Sequence, residues 1–146
     1  MTITLGDVRT AVSAMAGRLD GNDHVAFCRQ DAAYPYVEVH DGVIHWIVEE
    51  RGKELQHRTT ADLNELLHWV ALDATSSMAQ QWERGQRDRF PAGRDRRIGW
   101  TAKQIELLRG LDTEWAEQFR EGIPTRFRGV RLEDVDAHPL SHPAAE

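Results

Sequence analysis

The spacing of apolar residues predicts an amphipathic helix over residues 5–19. Apolar side chains recur there every three or four positions, which is the period of one helix face: Val8, Val12, Met15 and Leu19. The next four residues, Asp-Gly-Asn-Asp, are typical of a turn that ends a helix. We therefore expect this segment to bury one stripe of side chains against a core.

A β-hairpin is predicted over residues 36–50, because apolar and polar positions alternate on either side of Asp41-Gly42. An Asp-Gly pair supplies the two positive φ angles of a two-residue type I′ turn. That turn pairs Glu38 with His45, so the side chains of each face can be assigned. One face is apolar and is expected to contact the core: Val37, Val39, Ile44, Trp46 and Val48. The other is expected to contact mostly solvent: Tyr36, Glu38, His40, His45, Ile47 and Glu49.

A third strand and two long helices follow in the pattern. Arg51-Gly52 predicts a second turn, and residues 53–58 predict a strand that completes an antiparallel meander. Residues 61–84 predict a helix with Thr60 as N-cap and an apolar stripe of Leu63, Leu66, Leu67, Val70, Ala74, Met78 and Trp82.

The last main helix is expected to open with a capping box, Thr101-x-x-Gln104, and to stop at Gly122-Ile-Pro124. The predicted fold is α+β: an N-terminal helix, a three-stranded antiparallel β-meander and two long C-terminal helices packed on one face of the sheet. We expect a single α+β domain over residues 1–132 and a flexible C-terminal tail over residues 133–146.

Composition excludes several classes of protein. A chain of 146 residues with 40% hydrophobic residues and five Trp has enough apolar material for a folded core, so full disorder is excluded. No run approaches the roughly 20 apolar residues of a membrane span, and the N-terminus lacks the pattern of a secretory signal. The single cysteine, Cys28, cannot form an internal disulfide, so we expect a cytoplasmic protein. A net charge of −6 disfavours non-specific binding along nucleic acid.

The charge is unevenly distributed. The Arg84–Arg97 segment holds six Arg and two Asp, a local charge of +4, which leaves −10 for the rest of the chain. Two interpretations are open for this segment. Its arginines could grip an anionic ligand through bidentate contacts. Alternatively, Asp95, Arg96 and Arg97 could order a long inter-helix loop, and we favour that structural role for these three residues.

Motifs of well-understood enzymes are absent from the sequence. It contains no Gly-rich phosphate loop, G-x-S-x-G, H-E-x-x-H or C-x-x-C, so we expect neither an enzyme nor a cofactor. Four residues of the polar hairpin face could ligate a divalent metal: Glu38, His40, His45 and Glu49. Exposed His and Glu are common on such faces, so a solvated surface with cross-strand pairs is the better interpretation, and we predict no metal site.

A spaced set of motifs resembles one protein family. The match covers about residues 34–115, and its motifs are, in order, Arg58-Thr59-Thr60, Glu65-Leu66-Leu67, Trp69, Met78-Ala79, Trp82-Glu83, Arg87, Asp95-Arg96-Arg97 and Gln104. This order is similar to that of the immunity protein 63 family of bacterial polymorphic toxin systems. The resemblance implies a protein that binds a cognate toxin domain in the cytoplasm and blocks it by steric and electrostatic occlusion, without chemistry of its own.

The resemblance also suggests where a toxin would bind. An acidic protein suits a basic partner by electrostatic complementarity. The acids expected to be exposed, and therefore to contact a basic toxin, are Glu38, Glu49, Glu50, Asp62 and Glu65. Arg87 is a further candidate, while Asp95, Arg96 and Arg97 are structural or interface residues. The alternative function is a small regulatory module that binds an anionic small molecule through the Arg84–Arg97 loop. We expect no nucleic acid and no membrane among the partners.

Overall fold

The architecture is mixed α and β, and the predicted fold class is confirmed. A computed structural model describes residues 2–86 and 95–141. The described elements are, in chain order, α1 (Leu5–Ala16), β1 (Tyr36–His40), β2 (Val43–Glu50), β3 (Lys53–Thr60), α2 (Leu63–Gly85), α3 (Arg96–Leu111), α4 (Thr113–Arg126), α5 (Leu132–Asp136) and a 3-10 turn (Pro139–Ser141). The chain divides into two compact units, with the boundary between Ala71 and Leu72 inside α2.

Helix α1 begins with a complete capping box. The Thr4 hydroxyl accepts from the Asp7 amide at 3.2 Å, and the Asp7 carboxylate accepts from the Thr4 amide at 2.9 Å. The predicted stripe of Val8, Val12 and Met15 is buried. The helix ends at Ala16, three residues earlier than predicted, with Gly17 as its C-cap.

The sheet is a three-stranded meander in the order β1-β2-β3, and both of its turns are two-residue hairpins. Asp41 and Gly42 have φ angles of 52° and 77°, and Arg51 and Gly52 have 54° and 74°, which are the positive values of type I′ turns. The predicted register, with Glu38 opposite His45, is confirmed. Strand β3 extends to Thr60, two residues beyond the prediction.

One face of the sheet is buried as predicted, but the other is only partly exposed. Val37 and Ile44 are fully buried on the core face. On the opposite face the prediction of solvent exposure is wrong at one end, where three residues are less than 10% exposed: Tyr36, Ile47 and Glu49. The reason is that the chain preceding β1 bonds to this end of the sheet. Ala26 bridges to Tyr36, and the Ala33 amide donates to the Glu49 carbonyl at 2.8 Å.

Helix α2 does not take its cap from Thr60, so that prediction is wrong. Thr60 is still part of β3, and its hydroxyl accepts from the Asp62 amide at 3.0 Å. Asp62 immediately precedes the first residue of the helix, Leu63, and its carboxylate accepts from the Asn64 amide at 2.9 Å. Asp and Thr are both good N-caps, and the strand pairing of Thr60 leaves the role to Asp62.

The second long helix is in fact two helices, α3 and α4. The predicted start at Thr101 is wrong because Asp95 caps the helix earlier, and the Thr101 hydroxyl bonds back to the Arg97 carbonyl at 2.5 Å inside α3. Asp112 ends α3 with an extended backbone and caps α4, because its carboxylate accepts from the amides of Glu114 and Trp115. Pro124 does not stop α4 and lies inside it, close to its end.

The segment from Leu132 onward contains further structure up to Ser141. Val135 in α5 is fully buried. The Arg120 guanidinium of α4 forms two bonds to the Asp136 carboxylate, at 2.8 and 2.5 Å, and this ion pair raises the pKa of Arg120. The assignment of a single domain with a flexible tail stays a prediction. None of the helices in the described ranges is long and apolar enough to cross a membrane.

Arg58 connects β3 to the start of α2 through two aromatic rings. Its guanidinium carbon lies 5.1 Å from the centroid of the Trp46 ring and 4.7 Å from that of Trp69. The two rings themselves meet edge to face at 6.5 Å. Cation–π contacts of this kind stabilise exposed sites modestly, and here one cation serves two rings.

We expect Arg58→Ala to lower the free energy of unfolding by about 1 kcal/mol, because both ring contacts are lost. Urea denaturation followed by Trp fluorescence measures the change. Lys53→Ala on the same strand is the matched control and should shift stability by less than about 0.5 kcal/mol. Equal effects of the two variants would contradict the role of the ring contacts.

Gln104 is the main buried polar side chain between α3 and the second half of α2. It is 2% exposed, and its amide nitrogen donates to the Leu72 carbonyl at 3.0 Å and to the Thr75 hydroxyl at 3.1 Å. Its amide oxygen has no hydrogen-bond partner within the described ranges. The two contacts of the Gln104 amide nitrogen therefore use it as a donor, which a carboxylate could not replace.

We expect Gln104→Glu to destabilise the protein by about 3 kcal/mol at pH 7, because a buried charge would lose its hydration and would face the Leu72 carbonyl, which can only accept. Gln104→Met, which removes the hydrogen bonds without adding charge, should cost about 1 kcal/mol. Burial raises the pKa of such a Glu, so the loss should shrink as pH falls. Urea titrations at pH 7 and pH 5 test this, and equal stability of the two variants at pH 7 would refute it.

Candidate partner-binding surface

Three histidines, one from each strand, form a row across the exposed part of the sheet. His40 lies in β1, His45 in β2 and His57 in β3. The ring centroids of His40 and His45 are 5.3 Å apart, and those of His45 and His57 are 5.1 Å apart. Nδ1 of His45 lies 2.8 Å from Nε2 of His57, which is a hydrogen-bond distance. We call these three residues the histidine row.

Carboxylates bond to both ends of the histidine row. Glu38 contacts His40 at 2.9 Å, and Glu54 contacts His57 at 2.9 Å through Nδ1. Nδ1 of His45 and Nε2 of His57 face each other, so one of these two nitrogens must donate the hydrogen bond and the other must accept it. The nitrogen that accepts carries no proton. A neutral His57 with its proton on Nδ1 donates to Glu54 and accepts from His45, which satisfies every contact of its ring.

Strand register explains why sequence reasoning found two of these histidines and missed the third. The Arg51-Gly52 turn alone would place His57 opposite Trp46, on the core face. A β-bulge shifts the register, because Val48 pairs with Gln56 and Glu49 pairs with Glu54, leaving Leu55 without an opposite residue. His57 therefore lies opposite Ile47 and joins the row.

The four residues considered as a metal site are not brought together. Glu38, His40 and His45 are neighbours, but Glu49 lies at the buried end of the same face. Within residues 2–86 and 95–141, no group of three or more His, Cys, Asp and Glu side chains has a geometry that could hold a metal ion.

Glu49 has a different environment from the one predicted. It is 9% exposed, so its predicted exposure is wrong, and it accepts hydrogen bonds from the Tyr36 hydroxyl and from the Arg29 guanidinium at 3.1 and 3.3 Å. Burial, followed by the bond to this carboxylate, raises the pKa of Tyr36 to about 12. Glu49 also raises the pKa of Arg29. The three side chains tie the chain before β1 to the end of β2.

The other predicted contact residues are spread over the first unit. Glu50 is exposed at the end of β2 opposite Lys53, Asp62 is exposed and caps α2, and Glu65 is exposed in the first turn of that helix. Arg87 lies outside the described residues. The role of these side chains in binding a partner stays a prediction.

Asp95 and Arg97 form a local structure at the start of α3. The Asp95 carboxylate accepts from the Arg97 amide at 3.0 Å and from its guanidinium at distances down to 2.7 Å. These bonds lower the pKa of Asp95. Arg96, between them, is exposed. The greater part of the Arg84–Arg97 segment, residues 87–94, lies outside the described residues, including the arginines on which the anion-binding alternative depends.

The first unit carries most of the negative charge. Residues 1–71 contain 11 acidic and 6 basic side chains, and residues 72–146 contain 13 and 12, so the first unit accounts for −5 of the net −6. Strand β3 is the most exposed element of this unit. Every residue from Lys53 to Thr59 is exposed, and Leu55 retains 54% of its accessible surface.

Comparison with known proteins identifies the family. A family model described as Immunity protein 63 matches residues 40–125, which is more than half of the chain. The chain therefore belongs to the Immunity protein 63 family, and the resemblance inferred from its motifs is confirmed. The matched range contains the whole histidine row and all of β2, β3, α2 and α3. Comparison with curated proteins found no significant match, and neither did comparison with solved structures.

We expect Tyr36→Phe to lower the free energy of unfolding at pH 7 by about 1 kcal/mol, because Glu49 loses a buried hydrogen bond. The folded pKa of Tyr36 lies above its ordinary value of 10.0, at about 12. The stabilisation is therefore complete below pH 10 and is lost as pH rises towards 12.

Urea denaturation of both proteins between pH 9 and pH 12 measures this dependence, and the variant should lose less stability over that range than the unchanged protein. Tyr34→Phe, at the only other tyrosine, is the matched control and should keep the original pH dependence. The same pH dependence in Tyr36→Phe as in the unchanged protein would show that the Tyr36–Glu49 bond does not stabilise the fold.

Proposed function

We propose that this protein is an immunity protein that binds a cognate bacterial toxin domain in the cytoplasm of the producing cell and neutralises it by occlusion. The observation that carries the proposal is membership of the Immunity protein 63 family across residues 40–125. The family name implies protection against a toxin, and binding is the simplest way for a protein of this size to provide it.

The distribution of charge supports a basic partner. The first unit carries a net charge of −5, and several of its acids are exposed, including Glu50, Asp62 and Glu65. An acidic surface accelerates encounter with a basic protein and orients it before contact. Occlusion of this kind requires no nucleophile, metal or proton transfer from the immunity protein. The toxin is inhibited because its active surface is covered or its substrate is repelled.

The arrangement of the histidine row suits an interface better than a catalytic site. His57 is held between another ring and a carboxylate, and its side chain is only about a third exposed, at 36%. The row therefore presents a fixed set of hydrogen-bonding edges flanked by carboxylates. A partner that places a Lys or Arg beside Glu38 or beside Glu54 would meet a negative charge and no competing cation from the row when its rings are neutral.

The proposal predicts that co-expression rescues cells from one toxin. The toxin domain encoded beside this gene should arrest growth when it is expressed alone, and co-expression of this protein should restore growth. The purified proteins should form a stoichiometric complex whose association rate falls as salt is raised from 50 to 500 mM, because the attraction is electrostatic. Failure to rescue cells from any neighbouring toxin would contradict the proposed function.

A charge-reversal pair tests the acidic surface separately. Glu38→Lys combined with Glu50→Lys should slow association at least about tenfold at low salt. Glu114→Lys combined with Glu121→Lys makes the same change in net charge at exposed positions of α4 and should slow it only about twofold. Equal slowing by both pairs would mean that net charge alone matters and that the first unit is not the contact surface.

A further inference from the structure

We propose that the outer edge of β3 receives an extended strand of the toxin, which adds a fourth strand to the sheet. This inference rests on the proposed function and specifies how the partner binds. Extended peptides commonly bind by adding to an exposed sheet edge, where main-chain hydrogen bonds supply affinity and alternate side chains supply specificity.

The two edges of the sheet differ in how they are covered. The outer edge of β1 is bonded to the preceding chain, since the Ala26 amide donates to the Pro35 carbonyl and the Val37 amide donates to the Ala26 carbonyl, both at 2.9 Å. No described residue forms an equivalent backbone bond to the outer side of β3. The high exposure of β3 along its length agrees with an open edge.

The hairpin geometry identifies the backbone groups that face outward. In a two-residue hairpin the residues flanking the turn exchange both backbone bonds, and bonded pairs then alternate with non-bonded pairs. Starting from His40 opposite Val43, this alternation directs the backbone of three β2 residues towards β3: Ile44, Trp46 and Val48.

The β3 residues opposite those three are Thr60, Arg58 and Gln56, so their amides and carbonyls point inward to β2. The amides and carbonyls of the two intervening residues, His57 and Thr59, therefore point outward. Their side chains lie on the same face as the histidine row. A strand added at this edge would bond to these two residues and place its alternate side chains beside the row.

The β-bulge limits how much of the edge is available. Pairing with β2 is regular from Gln56 to Thr60, and Leu55 interrupts it. Five residues correspond to about 17 Å of strand at about 3.4 Å per residue. Bulges and short edges hinder indiscriminate pairing between copies of a protein, while a shorter partner segment can still bind.

Charge favours a basic partner strand over a second copy of this chain. Two copies paired antiparallel about the centre of the Gln56–Thr60 stretch would place Arg58 directly opposite Arg58, and like charges in that position are destabilising. Two first units would also each bring a net charge of −5. A basic toxin is attracted by the net charge of the first unit, and its strand avoids the repulsion at Arg58 when it places no cation opposite that residue, so it is the occupant we propose.

Proline substitution tests the edge directly. Thr59→Pro removes one outward amide and leaves the bonds between β2 and β3 intact, and proline is tolerated on edge strands when its nitrogen faces solvent. Thr59→Val keeps both the amide and the side-chain shape and is the matched control. With the toxin domain encoded beside the gene, we expect Thr59→Pro to raise Kd at least about tenfold and Thr59→Val to change it less than about twofold.

Hydrogen exchange provides a second measurement that does not depend on the stability of the proline variant. In the unchanged protein alone, the amides of His57 and Thr59 should exchange faster than those of Arg58 and Thr60. Complex formation should slow exchange at His57 and Thr59 at least about tenfold. Binding that leaves these two amides unprotected would overturn the proposed edge pairing and leave the proposed function standing.

If the unchanged protein binds no such toxin domain, the proposed function fails instead, and the edge has lost its proposed occupant. Sedimentation of the free protein as a dimer with protected His57 and Thr59 amides would assign the edge to a second copy.

Discussion

Strand register is the constraint on which the rest of the first unit depends. Side chains alternate between the two faces of a strand, so a shift of one residue moves every side chain to the opposite face. Two type I′ turns fix the register of this sheet at its ends, and one extra residue, Leu55, resets it within β3. The bulge places His57 on the exposed face, and it directs Arg58 to the face that carries Trp46. A strictly paired hairpin would exchange these two residues, with the imidazole of His57 on the core face and no cation between the tryptophans.

Helix boundaries in this chain are decided by competition between good capping residues. Thr60, Asp62, Asp95 and Thr101 are all of the types that cap helices, and the sequence pattern alone ranks them poorly. Thr60 is committed to the sheet, so Asp62 takes the cap of α2. Asp95 has an arginine two residues later that bonds to its carboxylate, and α3 therefore begins before Thr101. Apolar periodicity predicted which segments are helical, whereas their ends depend on contacts that periodicity does not encode.

The positions of residues in the candidate surface could be predicted only where a turn by itself fixes the pairing of the strands. The Asp-Gly turn was enough to place Glu38 beside His45 and to bring His40 close to both. The same turn could not predict the burial of Glu49. Alternation along the strand assigns this residue to the polar face, but it does not show which other parts of the chain cover that face. Arg29 and Tyr36 bury Glu49 through contacts over 20 and 13 residues of sequence. His57, and with it the contact that Glu54 makes, was missed because a bulge has no sequence signal as strong as a turn has.

The segment before β1 has a consequence for the order in which the first unit folds. The two hairpins close over two-residue turns, and contacts this local form on the microsecond scale. The bonds from Arg29 to Glu49 and from Asp31 to the Gly52 amide close loops of 20 and 21 residues, at a larger cost in chain entropy. We therefore expect the meander to assemble first and the docking of residues 26–33, which removes water from Glu49, to follow as a later step.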